Sequence, residues 1–298
     1  MSSHRRAGSV ALARGDVQQH LAALAWLDVQ ALQGREHLAL PTDLFVVSVC
    51  SAAPEPGLGS GPASAGELQV VVSMLRTRPA RCEVAAGEPG AGADRLLLAL
   101  LTPAGLIRVL RAPLDGLTDR RLPLAHFCGL GEERRLREAL LGAVDVHERL
   151  RRLGHWVESR AQQRQGLRAA QRRTARAAAL LLQPGAAVGL PALARQLGVT
   201  QRQLERDFRR WLGVSPALYA RVVRFQRAAA LVCAGGRFLD AVFEHGYADQ
   251  SHLNRSFKAL SGLTPGELAA LASPPHRADE RAALAGRVWM VDAPTRRT

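Results

Sequence analysis

Two stretches near the C-terminal end of this 298-residue chain repeat one pattern at one spacing. Leu204, Phe208, Gly213 and Pro216 mark it first, and Leu253, Phe257, Gly262 and Pro265 mark it again 49 residues later. Apolar residues four apart share one helix face, glycine suits the left-handed position after a helix, and proline suits the first turn of the next one. The spacing therefore predicts two similar turn-then-helix units joined by a further helix.

The repeat lies on the most basic part of the chain. Forty Lys and Arg face 26 Asp and Glu, for a net charge of +14, and every basic residue except Lys258 is arginine. From Arg172 to Ala272 there are 14 basic and 6 acidic residues, whereas the longer stretch before it holds 21 and 17. A cationic footprint centred on the repeat fits a partner made of phosphates.

In the first unit, Pro191 opens a short helix that Gly198 closes, with Ala194 small enough for close helix contact. Thr200 then reads as an N-cap, with Gln203 three residues on as its reciprocal capping partner. Leu204, Phe208 and Leu212 share the inner side of the next helix, which leaves Arg202, Arg206 and Arg209 turned outward. A guanidinium can take guanine O6 and N7 together, and Gln201 or Gln203 can pair with adenine or reach a phosphate.

Ser215-Pro216 opens a helix running to about Cys233, with Leu218, Val222, Phe225, Ala229 and Val232 on its apolar side. Gly235-Gly236 ends it. A helix from Leu239 to His245 is closed by Gly246, and Asp249 caps the second reading helix. There Leu253, Phe257 and Leu260 point inward. Ser251, Arg255 and Lys258 face away, Asn254 lies at the flank, and Gln250 and His252 sit near the helix start, within reach of a phosphate. Two helix-turn-helix units in one chain are expected to enter successive major-groove segments.

Before the repeat, Leu44–Val49, Leu68–Leu75, Cys82–Ala85 and Leu96–Leu101 read as short strands between Pro- and Gly-rich turns, with Ala52–Gly66 as a loop. A short amphipathic helix is expected around Leu21, Leu24 and Leu27, and Gly105–Leu110 fits a strand or a brief helix. Apolar positions from Leu136 to Leu167 then predict a helical run with an arginine-rich outer face, from Arg149, Arg151 and Arg152 to Arg172, Arg173 and Arg176. The fold class is an α+β N-terminal domain at residues 20–145, a helical connector at 146–183, an all-α double helix-turn-helix domain at 184–271 and a flexible tail at 272–298.

Cys50, Cys82, Cys128 and Cys233 lack the close pairing of a zinc knuckle or a redox dithiol, so buried free thiols are expected, with no metal and no cofactor. Arg14 and Asp16 interrupt what would have to be the apolar core of a signal peptide, and Leu96–Leu101 is too short to cross a bilayer. These features predict a cytoplasmic protein with no membrane partner.

Leu193-Ala194, Gly198, Leu204, Phe208 and Gly213 to Pro216 together form a recognisable pattern. It continues with Arg224, Ala228, the run Gly246-Tyr247-Ala248-Asp249-Gln250-Ser251-His252-Leu253, then Arg255, Phe257-Lys258 and Gly262 to Pro265. Over residues 172 to 270 the chain resembles the AraC/XylS family of bacterial transcription regulators. The resemblance implies sequence-specific promoter binding by two helix-turn-helix units, with the second commonly near the element that RNA polymerase also uses. One departure is Ala241-Val242 where the family usually has Ile-Ala. A β-branched side chain there either overpacks against the second reading helix or is compensated by Ala241.

The N-terminal half is only weakly similar, around Leu101-Thr102-Pro103-Ala104-Gly105, Ala112-Pro113-Leu114 and Leu122-Pro123-Leu124, to an uncharacterised sensor-like domain that precedes the same module in other regulators. The partners implied are double-stranded promoter DNA and RNA polymerase, with a small-molecule effector and a homodimer left open. Three rival readings remain, one of them an interaction module with degraded reading helices, against which the retained arginines argue. An architectural protein would bind DNA without sequence preference, and an alkyl-transfer repair enzyme would need an activated cysteine in a Pro-Cys-His setting, which His126-Phe127-Cys128-Gly129 does not supply.

Overall fold

The computed structural model describes residues 8–10, 20–28, 36–50, 68–83, 95–163, 166–183, 189–272 and 290–293. The N-terminal strands are β1 (Gly8–Val10), β2 (Leu21–Asp28), β3 (Glu36–Ala39), β4 (Phe45–Cys50), β5 (Gln69–Ser73), β6 (Ala80–Glu83) and β7 (Arg95–Leu101). Then come α1 (Pro103–Leu110), β8 (Arg121–Pro123), α2 (Ala125–Cys128), α3 (Leu130–Leu141), α4 (Val146–Gln162) and α5 (Ala169–Leu181). The helices α6 (Leu190–Gln196), α7 (Gln201–Leu212), α8 (Pro216–Cys233), α9 (Phe238–Glu244), α10 (Gln250–Ser261) and α11 (Pro265–Ala272) precede a last strand, β9 (Met290–Asp292).

Six strands form an antiparallel sheet in the order β1-β2-β7-β4-β5-β8. One face, with Phe45, Val47, Val70, Val72, Leu97, Ala99 and Leu101, is buried in a core shared with Leu106, Leu110, Leu136, Leu150 and Val157 of α1, α3 and α4. On the other face Ala23, Ala25, Val46, Leu98 and Leu100 form their own buried cluster. A sheet buried on both faces carries no polar alternation along its strands.

That explains one correction. Leu21, Leu24 and Leu27 do not start an amphipathic helix but lie in β2, where Leu24 pairs with Ala99 and Trp26 with Leu97. Their helix-like spacing comes from an apolar run whose two sides are both covered, so tertiary pairing with the leucine-rich β7 decides the conformation.

Gly105–Leu110 is helical, and the turn into α1 is built locally. Thr102 Oγ1 accepts the Gly105 N–H at 3.0 Å and Pro103 occupies the first turn. Gly105 meets the backbone here, for a Cβ on it would lie 1.9 Å from the His20 carbonyl oxygen. The helical run expected to connect the halves is two helices, interrupted at Gln163, whose ψ is 133°. α5 packs against α1, α7 and α8. The expected loop at Ala52–Gly66 lies outside the described residues.

Two strands changed the expected organisation. β3 pairs with β6 and, along its other edge, with β9 in the register His37↔Asp292, Leu38↔Val291 and Ala39↔Met290. Met290–Asp292, expected within a flexible tail, is thus strand, because Val291 (5% exposed) finds an apolar site with Leu38 and Leu40 beside the second C-terminal unit.

Candidate nucleic-acid interface

The C-terminal helices fold by local chemistry that the repeat encodes twice. α7 and α10 each have 12 residues, and α10 begins 49 residues after α7. Thr200 Oγ1 accepts the Gln203 N–H at 3.1 Å, and Asp249 Oδ1 accepts the His252 N–H at 2.6 Å, so each helix has a side-chain N-cap. Each ends on a left-handed glycine, Gly213 (φ 78°) and Gly262 (φ 75°), whose N–H returns to the carbonyl of Arg209 or Lys258. The preceding turns pivot on Gly198 (φ 67°) and Gly246 (φ 70°), which are 48 residues apart, so the second turn is one residue longer than the first.

α8 holds both units. At 18 residues it is about 27 Å long. Its Tyr219 ring lies 6.1 Å from Phe208 of α7, and its Phe225 ring packs edge-on at 5.0 Å against Phe257 of α10. Leu204, Phe208 and Leu212 are buried in the core that continues from the large sheet, whereas Leu253, Phe257 and Leu260 belong to a second core with Leu38, Leu40 and Val291. Ala241 and Val242 are both buried in this second core and Phe243 is 80% exposed, so the Val242 side chain occupies space beside the second reading helix.

Most of the expected reading residues lie in the open. Gln201, Arg202, Arg206 and Arg209 on α7 are exposed, as are Gln250, Ser251, Arg255 and Lys258 on α10. Gln203, His252 and Asn254 are half-buried. Arg202, Arg206 and Arg209 follow one another at intervals of four and three, which gathers three guanidinium groups on one helix face.

Several of these residues are engaged in other bonds, and Gln201 Nε2 is one, donating to Glu205 Oε1 at 3.1 Å. Gln203 does not complete a capping box. Its Nε2 donates to Asp207 Oδ1 at 2.7 Å and its Oε1 accepts from Arg206, because a buried carboxylate one turn along competes for the amide. His252 Nδ1 accepts the Ala248 N–H at 3.2 Å and its ring lies edge-on to Tyr247 at 5.3 Å, which ties it to the turn before α10. Lys258 Nζ reaches the Gly262 carbonyl at 3.3 Å and Glu267 Oε2 at 3.2 Å, at the far end of the helix. Thr264 holds the same carboxylate with its N–H at 2.7 Å and its hydroxyl at 3.0 Å, so these donors and Lys258 push the Glu267 pKa down to about 2.

Asp207, 3% exposed, was not legible as a functional residue. Its Oδ2 accepts from Nε of Arg173 at 2.9 Å and from the same guanidinium's terminal nitrogen. Arg173, expected on a solvated outer face, therefore turns inward from α5. The available signal was a carboxylate next to Phe208 on the inner side of a mainly basic helix.

Cys50, Cys128 and Cys233 are half-buried and none of them is in a disulfide. Burial raises the Cys128 pKa, and its Sγ donates to the Leu124 carbonyl at 3.3 Å, which keeps the thiol protonated. A groove of about 540 Å³ between α3 and α4 includes Glu132, Arg135, Glu148, Arg152 and Trp156. Two of its arginines are paired, Arg135 with Glu132 at 2.7 Å and Arg152 with Glu148 at 2.5 Å.

Twice, then, a short helix and a glycine turn deliver a longer helix with a buried inner face and a cationic outer face. This arrangement defines a DNA-binding protein of the helix-turn-helix class. Residues 193–270 match the family model described as a helix-turn-helix domain. This C-terminal domain is of the AraC type, and the chain is a DNA-binding transcription regulator.

Among solved structures, the chain is similar to fatty-acid-bound wild-type ToxT from Vibrio cholerae strain SCE256, at 13% identity and a TM-score of 0.42, over 83% of this chain and 93% of that one. The apo form of a ToxT point variant from the same strain gives 12% and 0.40, over 84% and 97%. A further ToxT structure from Vibrio cholerae gives 11% and 0.39, over 80% and 90%. Likeness this low in superposition carries no residue or ligand over to this chain. No curated protein matches it. Among the described residues, no helix is long and apolar enough to cross a membrane.

Proposed function

We propose that this regulator is sequence-specific and reads two adjacent major-groove segments, one with α7 and one with α10. The observation that carries the reading is the pairing of two equal-length helices on opposite halves of α8, each with a side-chain N-cap, a left-handed glycine C-cap and an open polar face. Arg202, Arg206 and Arg209 supply base or phosphate contacts in the first segment. Gln250, Ser251, Asn254 and Arg255 supply them in the second, with Gln201 at the phosphate-facing start of α7. Lys258 and His252 act chiefly through the fold, given the bonds they already make. α5 serves both halves in this reading, since it packs on α1 as well as on α7 and α8 and donates Arg173 to the first reading helix. RNA polymerase is the protein partner in this reading, met through the second unit.

Selection of DNA sites from a random pool by the purified full-length chain, at fixed physiological salt, tests the proposal. Enrichment of a motif with two elements about one helical turn (~34 Å) apart is the expected result. Tight, salt-sensitive binding without enrichment would instead identify an architectural protein. Arg202→Ala and Arg255→Ala should then relax preference at different elements of the motif.

A further inference from the structure

On α7 a chain of hydrogen bonds runs from the protein interior to the exposed face. Arg173 of α5 grips buried Asp207 through Nε at 2.9 Å and through its terminal nitrogen. Asp207 Oδ1 accepts from Gln203 Nε2 at 2.7 Å, and Gln203 Oε1 accepts from the Arg206 guanidinium. The orientation of the amide is determined by its neighbours: a carboxylate only accepts and a guanidinium only donates, so nitrogen must face Asp207 and oxygen Arg206. Both ends of Gln203 are therefore occupied within the protein.

Resting on the reading of α7 as a DNA-recognition helix, we propose that Gln203 is a positioning residue that orients Arg206 for guanine, with Asp207 and Arg173 as its anchor. Arginine has many rotamers, and a bidentate contact with O6 and N7 requires one of them. A guanidinium held before DNA arrives loses less conformational freedom on binding. The second unit offers an internal contrast. The positions 49 residues on from Gln203, Arg206 and Asp207 are His252, Arg255 and Ser256, so the position equivalent to Asp207 carries no carboxylate, and His252 is tied to Ala248. The first unit reads with a preset arginine and the second with one ordered by the DNA.

The test uses the full-length chain, its selected site and every single-base-pair variant of that site at one salt concentration. Arg206→Ala identifies the base pair that Arg206 reads. Gln203→Leu, close in shape but unable to bond, should lose about tenfold in affinity for the selected site. Its loss of discrimination should fall on that same base pair, its nonspecific binding should be unchanged, and the double variant should bind no worse than Arg206→Ala. Without DNA, the Arg206 Nε–H should become more mobile by nitrogen-15 relaxation in Gln203→Leu, a change that a merely structural residue would not produce. Loss of discrimination at a different base pair would show that Gln203 reads a base itself and would overturn the proposal. A silent Gln203→Leu or additive losses would overturn it as well. An Arg206→Ala variant that keeps all discrimination would remove both this proposal and base reading by Arg206.

Discussion

The Thr118 hydroxyl donates to the Gly213 carbonyl at 2.6 Å, joining the loop after α1 to the C-cap of the first reading helix across 95 residues of sequence. Four residues earlier in the same loop, the Leu114 N–H donates to the Arg210 carbonyl at 2.7 Å. The last carbonyls of a helix have no partner within it, and here the N-terminal domain supplies donors at that end. The first reading helix and the N-terminal domain thus share hydrogen bonds as well as a core, and the position of the helix depends on both.

The two equivalent glycines should respond differently to substitution. Gly262→Ala meets open space and bears only the strain of its positive φ, roughly 1–2 kcal/mol. Gly213→Ala bears the same strain, and its Cβ would lie 3.0 Å from the Leu114 carbonyl oxygen and 3.2 Å from the Thr118 hydroxyl. We expect about 1 kcal/mol or more of additional destabilisation from this crowding, measured by urea unfolding of the two variants side by side. Equal losses would show that the contact with the N-terminal domain gives way freely.

Gly105→Ala is expected to prevent folding of the N-terminal domain. The added methyl would meet the His20 backbone, and backbone cannot rotate aside as a flexible side chain can. Soluble expression and circular dichroism would show this. A folded Gly105→Ala with an unchanged melting temperature would contradict the packing of α1 against the start of β2.

Val291→Asp should detach β9 from β3, because it places an unpaired carboxylate among Leu38, Leu40 and the second C-terminal core. Faster amide exchange is expected across residues 36–39 and in α11, which packs on β9. The six-stranded sheet should keep its protection.

The acid limb of stability contains a contribution from Glu267. Its carboxyl is held down from 4.5 to about 2 in the folded protein, by Thr264 first and Lys258 after it. Between those two pH values the unfolded chain binds the proton more readily, so this contribution is complete above about pH 4.5 and is lost as pH falls toward 2. Glu267→Gln should therefore flatten the rise of the thermal midpoint over that window and leave its slope above pH 5 unchanged.

Residue order alone determined the paired helices of the C-terminal half. Thr200, Ser215, Asp249, Gly213 and Gly262 act on backbone groups three or four residues away, and such bonds form wherever the sequence places them. The strands at Phe45–Cys50, Gln69–Ser73 and Arg95–Leu101 were legible for a similar reason, as short apolar runs bounded by turn residues. Only the tertiary structure decided that Leu21–Asp28 is a strand, that Met290–Asp292 pairs with Glu36–Ala39, and that Gln203 faces Asp207 and Arg206. Each of these depends on a partner distant in sequence or on competition among several polar groups for one amide, and periodicity along a single chain carries no record of either.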